Sequence, residues 1–121
     1  MQEKKRVVCI DFDGVIASYS GWKGSKHFGK PVRGIKEFLE DLQKTGLSFV
    51  VLTSRAPKTI KHYFKKYSIP APDRVTNVKI PASVYIDDRC IRFDGNFSHL
   101  RKDLRTFRVH WKSKKSFDKL F

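Results

Sequence analysis

The chain has 121 residues, enough for one domain with a real core and too few for two. Hydrophobic residues make up 40% of it, with ten Phe, which excludes a disordered chain and predicts a folded globule. Lysine and arginine number 26 against 12 acidic residues, a net charge of +14 that points to a polyanionic partner, nucleic acid first, with plain solubility as the alternative.

Residues 1–6 are charged and the apolar run after them is short, so neither a secretory signal nor a membrane span is expected. Residues 7–10 (Val-Val-Cys-Ile) read as a buried strand of a parallel sheet that ends in Asp11-Phe12-Asp13-Gly14. Strand side chains alternate, so Asp11 and Asp13 can leave the strand end pointing the same way. Gly14 lets the backbone turn sharply there. Two carboxylates this close repel unless a cation or a shared proton intervenes, and hard oxygen ligands of this kind suit Mg²⁺. The plain alternative is an Asp at a turn followed by a helix cap.

Residues 18–30 form a polar, glycine-rich loop carrying Tyr19, Trp22, Lys23, Lys26 and His27. It is long for such a connection, as functional loops often are. A helix is predicted over 32–45 after Pro31, with Ile35, Phe38, Leu39 and Leu42 as its apolar stripe and Gly46 as its stop. Residues 47–52 are the second buried strand, ending in Thr53-Ser54-Arg55. Pro57 suits the first turn of the next helix, whose Ile60, Phe64 and Tyr67 face one way. After a break at 69–73, a short strand over 75–78 leads to Lys79, and a strand over 84–86 ends in Asp87-Asp88-Arg89. Beyond it come a short strand over 91–93 turned by Asp94-Gly95, and a helix capped by Ser98 that turns Leu100, Leu104 and Phe107 inward. An edge strand over 109–111 and a basic tail over 112–121, with Phe117, Leu120 and Phe121 at helical spacing, complete the chain. Cys9 and Cys90 fall in apparent strands with no metal-binding spacing and read as buried thiols, which fits a reduced, cytoplasmic setting.

This alternation predicts one α/β domain: a doubly wound, Rossmann-like parallel sheet with helices on both faces. In such sheets the ligand sits at the strand C-termini, where strand order reverses. Asp11, Asp13, Thr53, Lys79, Asp87 and Asp88 all fall at those ends. Acidic groups for a divalent cation, a hydroxyl for a phosphate oxygen and an ammonium for residual charge suit phosphoryl transfer. One carboxylate can take the phosphoryl group covalently while a second shuttles the proton.

The same residues resemble the haloacid dehalogenase superfamily, matched by Asp11-Phe12-Asp13-Gly14-Val15, Val50-Val51-Leu52-Thr53, Lys79 and Ile86-Asp87-Asp88. The resemblance runs from about residue 7 to residue 93 and holds in order as well as content. It implies Asp11 as nucleophile, Asp13 as general acid/base, and Thr53 and Lys79 as holders of phosphate and intermediate. It also implies a Mg²⁺ site built by Asp11, Asp87 and the backbone carbonyl of Asp13, supported by Asp88. Ser54 and Arg55 join Thr53 as candidate substrate-binding residues, with Trp22, Lys23 and Lys26 from the loop. Neither gap between motifs has room for the cap domain that the family usually inserts, so a capless phosphatase with an open site is implied. Val15 stands where the family commonly has Thr.

A receiver-type signalling domain also clusters Asp, Thr and Lys around Mg²⁺, but its order is an acidic pair, a lone Asp, Thr and then Lys at the end, whereas here Thr53 precedes Lys79 and an acidic pair, Asp87-Asp88, comes last. A non-catalytic nucleic-acid-binding module is the other alternative, with Trp22, Tyr19 and Trp111 among lysines. For the substrate, Ile86-Asp87-Asp88-Arg89 resembles a segment of phage-type polynucleotide 3′-phosphatase domains, which together with the charge implies a nucleotide or a phosphorylated nucleic-acid end. Small nucleotidases and sugar phosphatases share the same motifs.

Overall fold

The computed structural model describes residues 6–117. The chain divides into two compact units, one ending at Asp87 and one beginning at Asp88. In the first, β1 (Val7–Asp11), β2 (Ser48–Leu52), β3 (Arg74–Thr76) and β4 (Val84–Ile86) form a four-stranded parallel sheet in the order β3-β2-β1-β4. The helices α1 (Ile35–Lys44) and α2 (Pro57–Lys66) make the crossovers between the first three strands. This is an α/β, Rossmann-like arrangement. Successive crossovers step from β1 to β2 to β3, and β4 then returns to the other side of β1. The strand order therefore reverses between β1 and β4, where such sheets open a crevice.

Register explains the core. Val8 lies beside Phe49 and Ile10 beside Val51, so these side chains share one face of the sheet. They pack with Phe12, with Ile35 and Leu39 of α1, and with Ile60, Tyr63 and Phe64 of α2. Cys9 and Val50 point to the opposite face and are buried too. Burial on both faces is why β1 and β2 read as unbroken apolar runs rather than alternating ones.

Several boundaries moved where a hydrogen bond, tertiary or local, competed with the pattern of apolar residues. α1 begins at Ile35, not at residue 32, because the amide of Val32 donates to the carbonyl of Ile16 and holds that segment against the turn after β1. Gly34 then enters the helix with φ +91°, a left-handed conformation that favours glycine. On α1, Phe38 of the predicted stripe is exposed, and Ile35 and Leu39 carry the burial. β3 stops at Thr76, whose hydroxyl accepts from the amide of Val78 and turns the chain two residues early. Along α2 Ile60 and Phe64 are buried as expected, joined by Tyr63, while Tyr67 is the half-buried C-cap.

The second unit contains α3 (Phe97–Thr106). Its cap is Asn96 rather than Ser98: the Asn96 side chain accepts from the amides of Ser98 and His99 at 2.9 and 3.2 Å. Residues 91–93 form no strand, because Asp94 Oδ1 accepts from the Asn96 amide and steers the chain into the helix. Residues 109–111 form a turn, closed by Lys112 N–H donating to Val109 O, in place of the expected edge strand. Leu100, Leu104 and Phe107 are half-buried, and no residue of α3 is fully buried. Cys9 is buried as expected, but Cys90 lies outside any strand and is exposed. Phe117 is exposed, and Leu120 and Phe121 lie outside the described residues.

Candidate active site at the strand ends

Asp11 is the last residue of β1, and Asp87 follows the last residue of β4. Ile10 pairs with Ile86, so these two aspartates leave neighbouring strands side by side at the reversal of strand order. Their carboxylates offer oxygens within 4.8 Å of each other. Like charges this close disfavour one another unless a cation joins them. Burial first, and then the charges of Asp11 and Asp87, push the Cys9 thiol above its ordinary range. Donors that are all hard carboxylate oxygens fit Mg²⁺ and offer nothing to a soft metal.

On the other side of β1, Asp11 pairs with Leu52, which puts Thr53 at the adjoining strand end. Thr53 is buried; its amide donates to Thr76 O at 2.9 Å, and its Oγ1 accepts from Arg55 N–H at 3.1 Å. With that lone pair taken, the hydroxyl hydrogen remains available for an anion.

The segment after Asp11 is a tight turn anchored by a fully buried Phe12, whose ring meets Tyr63 edge-on at 4.9 Å. The carbonyl of Phe12 accepts from the amides of Ile16 and Ala17, and the Gly14 amide donates to Ala17 O. Gly14 has φ +92°, the left-handed conformation such a turn requires.

Asp13 is held by Arg55. Nε donates to Oδ2 at 2.8 Å and Nη2 to Oδ1 at 3.1 Å, a two-pronged pair with the Arg55 side chain 5% exposed and that of Asp13 21%. The same guanidinium donates to the carbonyls of Ser25 and His27 at 3.3 and 2.9 Å. It also lies over the rings of Phe28 and Trp22, 4.2 and 5.0 Å from their centroids. Arg55 is thus the post around which the loop folds. The loop's two ends close where Ser18 N–H donates to Lys30 O at 2.7 Å. Gly29 is required beside that closure, because a Cβ there would fall 1.8 Å from Ser18 O. Beside Asp13 and Arg55 this leaves a cavity of about 190 Å³, walled by Tyr19, Ser20 and His27 among others.

Of the residues singled out from the sequence, Asp11 and Asp87 come together, Thr53 takes the next strand end, and Asp13 pairs with Arg55. Arg55 spends its donors on Asp13 and the loop. Ser54, Lys23 and Lys26 are exposed, and Trp22 is 60% exposed. Lys26 lines a different groove from the one beside Asp13. Lys79 is exposed after β3, with Nζ 4.8 Å from the centroid of the Tyr85 ring. Asp88 begins the second unit, where its carboxylate accepts from Trp111 Nε1 at 2.6 Å. Sequence reasoning missed Tyr63 and Phe28. Tyr63 was detectable, since it sits three residues after Ile60 on the same helical face. For Phe28 the only signal was a large apolar ring in a polar loop that also carries Tyr19 and Trp22.

No family model and no curated protein matches the chain. Its fold is similar to a solved structure described as a conserved protein coded by a locus from Bacteroides thetaiotaomicron, at TM-score 0.58 and 16% identity over 84% of this chain and 91% of that one. That likeness concerns the fold. Among the described residues no helix is long and apolar enough to cross a membrane.

Proposed function

We propose that the protein is a Mg²⁺-dependent phosphomonoester hydrolase of haloacid dehalogenase type, acting through an aspartyl-phosphate on Asp11. The observation that carries this reading is the meeting of Asp11 and Asp87 at the reversal of strand order, with Thr53 at the next strand end. An Asp11 oxygen attacks phosphorus and the bond to the leaving oxygen breaks. Asp13 supplies the proton that the leaving group needs. Water then attacks the aspartyl-phosphate and gives its proton to Asp13, releasing inorganic phosphate and restoring Asp11. Arg55 holds Asp13 in place throughout; each carboxylate oxygen keeps a further lone pair for the proton.

Thr53 donates its hydroxyl to a phosphoryl oxygen, and Lys79 swings from the Tyr85 ring to the remaining charge. Mg²⁺, held by Asp11, Asp87 and the Asp13 carbonyl, would supply positive charge opposite the phosphoryl oxygens. We assign a phosphorylated nucleic-acid end as the substrate, on the strength of the +14 net charge and the exposed Trp22, Lys23 and Lys26. A reducing, cytoplasmic setting accords with the unpaired thiols of Cys9 and Cys90.

The test is a hydrolysis screen with Mg²⁺ over nucleotides, sugar phosphates and oligonucleotides phosphorylated at the 3′ or the 5′ end. Phosphate release is expected from all phosphomonoesters to some degree and fastest from an oligonucleotide. A preference for a sugar phosphate would replace the substrate assignment, and no release from any of them would reject the hydrolase.

A further inference from the structure

The loop clamped by Arg55 has two sides. Tyr19 and His27 wall the cavity beside Asp13, whereas Lys26 and Phe28 line a separate groove of about 540 Å³ along α2. From the helix come Lys58, His62 and Lys66, spaced four residues apart and so in one stripe spread over about 12 Å. None of the lining residues is acidic. α2 itself, Pro-Lys-Thr-Ile-Lys-His-Tyr-Phe-Lys-Lys, contains no acid to balance its lysines. An anion laid along the stripe meets both Lys58 and Lys66 on one face of the helix.

Between the cations the groove is aromatic. Tyr63 is buried, and its hydroxyl donates to Gly29 O at 2.7 Å, so its ring belongs to the floor. Tyr67 is half-buried, its ring centroid 4.7 Å from that of Tyr63, with Lys66 Nζ 5.3 Å from its own centroid. Phe28 is half-buried at the loop side. Cations at the rim over partly open rings match a ligand that alternates phosphates with flat apolar groups. A polyphosphate or an acidic peptide would satisfy the cations and leave the rings uncovered.

We propose that this groove binds a single-stranded nucleic-acid segment, with phosphates on Lys58 and Lys66 and a base against Tyr67. The proposal rests on the nucleic-acid part of the functional reading and names where the chain beyond the reacting phosphate is held.

Fluorescence anisotropy of a labelled oligodeoxythymidine without terminal phosphate, titrated with the full chain in the absence of Mg²⁺ over a series of salt concentrations, tests it. Lys58→Gln with Lys66→Gln should lower the slope of log affinity against log salt by about 1.4, at about 0.7 per phosphate contact on a single strand. Tyr67→Leu should weaken binding about 5-fold or more at an unchanged slope, and Tyr67→Phe should restore it. Heparin binding should fall in the lysine variant but not in Tyr67→Leu. An unchanged slope in the lysine variant, or equal oligonucleotide affinity of wild type and Tyr67→Leu, overturns the proposal in favour of a general polyanion surface. Binding is read without turnover, so a chain that hydrolyses nothing still reports on the groove. Conversely, hydrolysis of p-nitrophenyl phosphate, which is too small to reach both, should be unchanged in the lysine variant.

Discussion

Arg55 shows how one side chain can decide what a site looks like. It neutralises Asp13, takes two loop carbonyls and is covered by two aromatic rings, so its removal orphans several groups at once. Breaking a buried ion pair from one side costs about 3–5 kcal/mol, and the partial exposure of Asp13 places Arg55→Ala toward the lower end. Arg55→Lys keeps the charge but loses the planar fork, and is expected to recover only part of that loss. Urea unfolding of both variants measures it; a loss below about 1 kcal/mol for Arg55→Ala would mean that the clamp adds little to the fold. From sequence alone Arg55 reads as a substrate ligand, because it follows Thr53-Ser54 at a strand end. The acid it meets lies 42 residues away, and no local pattern encodes that pairing.

At the scale of elements, α2 joins sheet and loop through Tyr63. Its ring packs on Phe12 and its hydroxyl reaches Gly29 O. Burial, ahead of the nearby Tyr67 and Asp13, pushes the Tyr63 phenol well above its usual range. A phenol raised in the folded state contributes stability that is fully present below its unfolded pKa of about 10. Above that pH the unfolded chain loses the proton first, so stability falls as pH rises. The midpoint of chemical unfolding should therefore drop between pH 9 and 11, and Tyr63→Phe should flatten this decline; parallel declines would remove Tyr63 as its source. β1, β2 and α2 were legible because burial and helical spacing wrote them into the residue pattern. The start of α1 was not, since the bond from Val32 N–H to Ile16 O joins segments remote in sequence. The expected strands over 91–93 and 109–111 failed for a local reason: Asp94 and Val109 close turns that apolar residues alone do not reveal.

For the whole molecule, strand order does what no single motif can. Asp11 and Asp87 are 76 positions apart (87 − 11) and meet because β4 returns to the free side of β1. Only the resemblance suggests a shared role for them from sequence, and the parallel topology accounts for their approach. Composition says less about a partner, because a net charge of +14 gives the sign of what it would attract and not its shape. The most direct test of the central claim is steady-state turnover of a phosphorylated oligonucleotide with Mg²⁺ by wild type and Asp11→Asn, with circular dichroism as the check on folding. Asp11→Asn removes the nucleophilic charge with almost no change of shape, so turnover should fall by about three orders of magnitude or more while the fold is kept. A folded Asp11→Asn variant that retains wild-type turnover would contradict it.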